Sequence, residues 1–175
     1  MDIFTALHTR RSIRSYTSEP VSERDIHTLL DAAMIAPSAG NAQPWQFLVV
    51  DDPELLKQIP AINPYAGMAP HSPVSIAICG DLGAEKYKGF WVQDCSAAIQ
   101  NMLLAAVGLG LGTVWTGIYP MEDRVAGFQR LLLLPEHIIP LALVVVGHTA
   151  VEPERKSRFT AAKVHRNLWS GPRTM

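Results

Sequence analysis

Phosphate is best gripped by guanidinium groups, which donate two parallel, charge-assisted hydrogen bonds. The chain carries Arg10, Arg11 and Arg14 close together near its start, with Ser12 among them as a hydroxyl donor, and Lys156 and Arg158 near its end. Taken alone, each cluster reads as a solvated surface; brought together by the fold, they would make an anion site. A second feature is the run Pro37-Ser38-Ala39-Gly40-Asn41-Ala42-Gln43-Pro44-Trp45. Its small residues let backbone approach a planar ligand closely. Asn41 and Gln43 carry donors and acceptors that could read a ring edge or brace the loop. The plainer reading is a stiff helix-to-strand connection plugged by Trp45.

Other candidates carry less. Gly108-Leu109-Gly110-Leu111-Gly112 invites comparison with a dinucleotide-binding loop, but such a loop follows a strand and opens a helix. Here an apolar helical stretch precedes the run and a strand-like stretch follows it, so these glycines are expected to end a helix and turn the chain into a strand. Cys79 and Cys95 each sit in apolar surroundings and match no zinc or redox spacing; they are expected to be buried, reduced thiols. The six histidines form no H-x-x-x-H pair, so no metal site is expected. No constellation resembling a nucleophile–base triad is present.

The elements that must position these residues follow from periodicity and punctuation. Asp2 to Thr9 reads as a short helix with Ile3, Phe4 and Leu7 on one face. Ser22-Glu23-Arg24-Asp25 has the form of a capping box and opens a helix in which Ile26, Leu29, Leu30, Ala33 and Met34 recur at helical spacing, stopped by Pro37. Strands are predicted over Gln46 to Val50, Val74 to Cys79, Gly112 to Ile118 and Leu141 to Val146. Short helices are predicted near Glu54 to Ile59 and over Met121 to Leu131, with mostly loop over Ala61 to Pro73. Gln93 to Leu109 is apolar almost all round, which predicts a helix buried on more than one side. Another subunit is the expected second cover. Helices alternating irregularly with about four strands indicate one α+β or α/β sheet domain.

Composition sets the bounds. With 175 residues, 48% hydrophobic and 18% charged, the chain is expected to fold as a single domain over residues 1–175 with a real core. A formal net charge of −1 gives no overall case for nucleic acid or an anionic membrane as partner. Met1-Asp2-Ile3-Phe4-Thr5-Ala6-Leu7 lacks the basic leader and apolar core of a secretory signal, and no apolar run approaches the roughly 20 residues that span a bilayer. The cytoplasm is the expected location.

Four motifs, taken in order, carry a family resemblance. Arg10-Arg11-Ser12-Ile13-Arg14 resembles the opening motif of the nitroreductase family of FMN enzymes. The run from Pro37 to Trp45 with its following strand is similar to that family's second motif, Trp115-Thr116-Gly117 to its third, and Lys156-Ser157-Arg158 to its fourth. Their order and spacing agree over nearly the whole chain. The resemblance implies an α+β fold, a three-layer α/β/α sandwich around a mostly antiparallel sheet, in an intertwined homodimer with FMN at the subunit interface. It implies that Arg10, with Arg11 close by, meets the phosphate, that Ser12 contacts the flavin, and that Arg14 lies nearer the pyrimidine edge of the ring. Lys156 and Arg158 would complete the phosphate clamp. Pro37, Ser38 and Ala39, with Asn41 in the same loop, would reach the ring from the partner subunit, and Trp115, Thr116 and Gly117 would lie along it. Asn63, in the Ile62-Asn63-Pro64 turn, falls near a family position that can touch the ring edge.

The implied activity is ping-pong transfer of electrons from NADH or NADPH to a small oxidant such as a nitroaromatic or quinone, with the cofactor supplying the chemistry. Alternatives within the resemblance are flavin breakdown and reductive dehalogenation; outside catalysis, an FMN store or redox-responsive module. Only Asp81 to Val92 is left to cover the site, which implies an open one. Tyr87, Phe90 and Trp91 in that segment would line the substrate pocket or pack against the partner subunit.

Overall fold

The computed structural model describes residues 1–170, so Arg173 of the basic tail lies outside the described residues. Five helices and four strands alternate along the chain: α1 (Ile3–Thr9), α2 (Glu23–Met34), β1 (Trp45–Val50), α3 (Pro53–Ile62), β2 (Val74–Asp81), α4 (Trp91–Gly108), β3 (Leu111–Gly117), α5 (Glu122–Leu131) and β4 (Ile138–His148). Short 3₁₀ turns at Ala39–Asn41, Pro64–Ala66, Ala69–His71 and Ala161–Lys163 complete the list. The four strands form one sheet in the order β1-β2-β4-β3, each pair antiparallel. One parallel bridge, Ser12 to Thr113, lays the N-terminal arginine segment along β3.

Why β2 and β4 occupy the centre is written in their side chains. Both are apolar on both faces, and strand residues alternate between faces. Ile76, Ile78, Ala142, Val144 and Val146 point to one side, where α2 and α4 close the core with Leu29, Ile99 and Met102. Ala77, Cys79, Leu143 and Val145 point to the other, where Leu56 and Ile59 of α3 meet Phe128 of α5. The result is the expected three layers, helix pair, sheet and helix pair. β4 runs through Pro140, which lacks an N–H for the ladder; the register with β2 shifts beside it, between Ile78 and Cys79.

Local chemistry fixes the helix ends. Ser22 caps α2: its Oγ accepts the Asp25 N–H at 3.1 Å and donates to the Asp25 carboxylate at 2.8 Å. α3 runs three residues past the predicted Ile59, through Pro60, and so forgoes the bond that an N–H at that position would give the Leu56 carbonyl. α4 ends at Gly108, and Gly110 (φ +75°) turns the chain into β3, so the glycine run is a helix stop, as expected.

α4 is buried on two sides by its own chain. The sheet covers one side and α2, with α1, part of the other, while Ala97, Leu104, Ala105 and Val107 remain only partly buried. Further apolar surface is exposed beside it: Ile3, Phe4 and Leu7 of α1 are exposed, as are Met34 and Ile35 at the end of α2. Cys79 and Cys95 are both free and buried; burial pushes both thiols up to about 12, so neither is a nucleophile near neutral pH. Among the described residues, no helix is long and apolar enough to cross a membrane.

Candidate functional site

α1 is short, and its last carbonyls favour cations. Arg10 caps it, its N–H donating to the Ala6 carbonyl at 2.9 Å. Arg11 spends its guanidinium on backbone, donating to the carbonyls of Arg10 (2.7 Å), His8 (3.0 Å) and Glu154. The Glu154 bond and a pair between His8 and Lys156 pin the tail to α1: the Lys156 N–H donates to the His8 carbonyl at 3.1 Å, and His8 Nδ1 donates to the Lys156 carbonyl at 3.0 Å. The tail is thereby folded back so that Arg10, Arg11, Lys156, Ser157 and Arg158 line one hollow of about 290 Å³. Residues about 150 positions apart thus meet, and the two basic clusters become one.

That hollow is electrostatically unfinished. Burial first, then the neighbouring Arg11 and Arg158 charges, disfavour the Arg10 cation and lower its pKa. Among the described residues the ion pairs are Lys57–Glu54 and His148–Glu19, so no carboxylate neutralises Arg10, Lys156 or Arg158. Like charges gathered without counter-charge favour a bound anion.

From this end, β3 leads away along the sheet edge. Ser12 pairs with Thr113, the Ile13 N–H donates to the Thr113 carbonyl at 2.9 Å, and Ile13 packs on Gly112, where a Cβ would have no room. Arg14 is exposed and makes only a long contact, 3.5 Å, to the Ser12 carbonyl. Two to four residues on from Thr113 come Trp115, Thr116 and Gly117, the last about 13 Å along the strand. Trp115 is partly exposed and Gly117 exposed, whereas Thr116 is buried and its hydroxyl donates to the Leu143 carbonyl at 3.1 Å. Thr116 therefore has its backbone, not its hydroxyl, to offer a ligand.

Residues that no motif announced brace this end. Buried Asn63 donates from Nδ2 to the Gly117 carbonyl at 3.1 Å, and its Oδ1 accepts the Tyr65 N–H at 3.2 Å. Arg124, in the first turn of α5, donates to the same Gly117 carbonyl at 3.2 Å. Both of that oxygen's lone pairs are thus engaged. Asn63 was signalled in the sequence by its turn before proline and by its nearness to a family position that can touch the ring edge; Arg124 had no signal there, since only the fold brings α5 to β3.

The loop before β1 is held equally firmly but elsewhere. The Ala39 N–H donates to the buried Asp94 carboxylate at 2.9 Å, and the Gln43 N–H to Ser38 Oγ at 3.0 Å. Gly40, Asn41 and Gln43 all adopt positive φ (+58°, +54° and +49°), a costly conformation for glutamine. Pro37 and Asn41 are exposed, Ser38 and Ala39 half-buried, and Trp45 is buried as the expected plug. Trp45 pairs with Gly80, so this loop shares an end of the sheet with Gly117 but sits on the opposite edge. Three strand spacings, about 14 Å, separate β1 from β3. One chain therefore brings together Arg10, Arg11, Lys156 and Arg158, aligns Ser12 and Trp115 to Gly117 along the same edge, and leaves Pro37, Ser38, Ala39 and Asn41 apart.

The covering segment divides. Trp91 is buried within its own chain, lying on Gly80 and packing edge-on against Tyr119 at 5.0 Å. It belongs to the core under α4 and needs no partner subunit. Tyr87 and Phe90 remain about half exposed, edge-to-face at 6.1 Å, with Lys86 and Tyr87 against Gly40 of the loop.

A family model described as the nitroreductase family matches residues 7–67 and 61–148. The chain belongs to the nitroreductase family. A provisionally named NADH dehydrogenase/NAD(P)H nitroreductase of Methanothermobacter thermautotrophicus is 49% identical over 97% of this chain and 88% of its own length. An "FMN reductase [NAD(P)H]" of Bacillus subtilis is 29% identical over 94% of this chain and 72% of that one. A nitroreductase of Desulfovibrio desulfuricans, also provisionally named and solved in complex with FMN, superposes with a TM-score of 0.85 at 32% identity, covering 97% of this chain and 98% of the other. The nitroreductase match spans Arg10 to Arg14, Pro37 to Trp45 and Trp115 to Gly117, and stops short of Lys156 and Arg158.

Proposed function

We propose that this chain is an FMN-dependent oxidoreductase that takes electrons from NADH or NADPH and reduces small oxidants of the nitroaromatic or quinone type. One observation carries the reading. Cations from opposite ends of the sequence, without carboxylate partners among the described residues, meet at one end of the β3 edge, and the exposed Trp115 and Gly117 lie at the other. An elongated cofactor with an anionic end and a planar end suits that layout. The donor set fits its phosphate: the guanidiniums of Arg10 and Arg158 and the ammonium of Lys156, with Ser12 nearby. Arg11 would stand behind them as a fixed charge, since its donors are already used on carbonyls.

Trp115, Thr116 and Gly117 would flank the ring, offering backbone at Thr116 and Gly117, and Arg14 would supply positive charge from the exposed side. Pro37, Ser38, Ala39 and Asn41 would come from a second copy of the chain, because their own chain holds them on the far edge of the sheet. The exposed apolar face of α1 is suitable surface for that association. The whole of residues 1–175 then acts as one FMN-binding unit in a homodimer. FMN, when bound there, would supply the redox chemistry between NAD(P)H and the oxidant. The protein's part is to hold it, tune it electrostatically and admit the two substrates in turn to the same open face.

The test is the visible spectrum of the purified protein, recorded before and after NADH or NADPH is added without oxygen. A yellow protein that bleaches is the expected result. A yellow protein that does not bleach would point to flavin storage, and a protein that stays colourless after FMN is supplied would overturn the proposal.

A further inference from the structure

Tyr65 and Arg124 stand beside Gly117 and have no role in the reading above. Tyr65 is 71% exposed. The Arg124 guanidinium lies over its ring, 5.2 Å from the centroid, and donates to the Gly117 carbonyl at 3.2 Å. The cation–π contact and the hydrogen bond hold the guanidinium beside the ring. Arg124 also sits in the first turn of α5, where the helix dipole disfavours positive charge. Asp123 does not neutralise it, since that carboxylate accepts Arg124's backbone N–H at 2.8 Å. Among the described residues no carboxylate oxygen lies within 4.0 Å of the guanidinium, which keeps N–H donors for a ligand.

We propose that Tyr65 and Arg124 form a substrate platform that selects planar aromatic oxidants carrying a negative charge, with a ring carboxylate as the preferred group. The proposal rests on the reading that the FMN ring lies along Trp115–Gly117. The substrate's ring would pack against the exposed edge of Tyr65, and Arg124, with the N–H donors it does not give Gly117, would grip the carboxylate.

The test compares 4-nitrobenzoate with its neutral methyl ester as oxidants for the flavin-loaded full chain, followed by NAD(P)H consumption. In either, the nitro group takes two electrons and two protons, one hydride from NAD(P)H and one proton from solvent, and leaves as nitroso compound plus water. The parent should favour the carboxylate. In Arg124→Gln the charged-to-neutral ratio of kcat/KM should fall by about tenfold or more, the size expected for a charged hydrogen bond, while Arg124→Lys keeps most of the preference. Calorimetry with benzoate, which cannot be reduced, should show a similar loss of affinity in Arg124→Gln. An unchanged ratio with unchanged benzoate affinity, in protein that binds flavin and oxidises NAD(P)H, overturns this proposal alone. A chain that takes up no FMN overturns the functional reading and this proposal with it.

Discussion

The middle of the sheet and the C-terminal tail are held in opposite ways. β2 and β4 bury nearly every residue, whereas residues 149–170 are exposed almost throughout and have one short 3₁₀ turn as their only regular structure. The sheet is held by many apolar contacts that no single residue dominates. The tail is located by a handful of hydrogen bonds around His8 and Arg11. The anion hollow draws on the tail and on the end of α1, because Lys156 and Arg158 come from the tail while Arg10 and Arg11 stand at the end of α1. Stability and ligand binding should therefore respond to different residues.

Leu143, fully buried under α3 and α5, tests the first half of that contrast. Leu143→Ala should cost about 2–5 kcal/mol, transfer and cavity terms together, read by denaturant unfolding. A loss below about 1 kcal/mol would mean that the centre of the sheet does not dominate stability. Arg158→Ala tests the second half. It should weaken FMN binding by about 1.5–3 kcal/mol and leave the unfolding of flavin-free protein within about 0.5 kcal/mol of the parent, as exposed substitutions do. If the variant kept flavin as tightly as the parent, the phosphate assignment would be wrong. His8→Ala should have the smallest effect, about 0.5–1.5 kcal/mol for the lost hydrogen bond. It would appear as faster amide exchange at Lys156 and a modest loss of FMN affinity. A loss as large as that of Arg158→Ala would show that placing the tail matters as much as its charge.

The same contrast explains what could be read from sequence. β2 and β4 were legible because a strand buried on both faces needs an unbroken apolar run, and such runs are visible without context. α2 was legible from Ser22 and its helical spacing. The end of α3 was not, since proline is a stop signal whose force depends on how much helix follows. Which surface covers the rest of α4 could not be read from its sequence, because apolar composition reports that a helix is covered, not by what. In the site, the arginine motif and the Pro37–Trp45 loop stood out because their chemistry is local. Asn63 was signalled only by its turn and the family resemblance, and Asp94 and Arg124 not at all: Asn63 and Asp94 act on Gly117 and Ala39, more than 50 positions away, and Arg124 reaches Gly117 only because the chain turns between β3 and α5. Trp91 was grouped with Tyr87 and Phe90 by proximity in sequence, but α4 turns it inward onto Gly80.

The separation of the Pro37–Asn41 loop from the β3 edge has a consequence for how such a protein behaves in dilute solution. If each binding site must be finished by a second copy, cofactor uptake and chain association are linked by mass action. Flavin would then hold the pair together, and the pair would hold the flavin. Apparent affinity for FMN would rise with protein concentration, and stripping the cofactor and diluting the protein would become two routes to the same dissociated state.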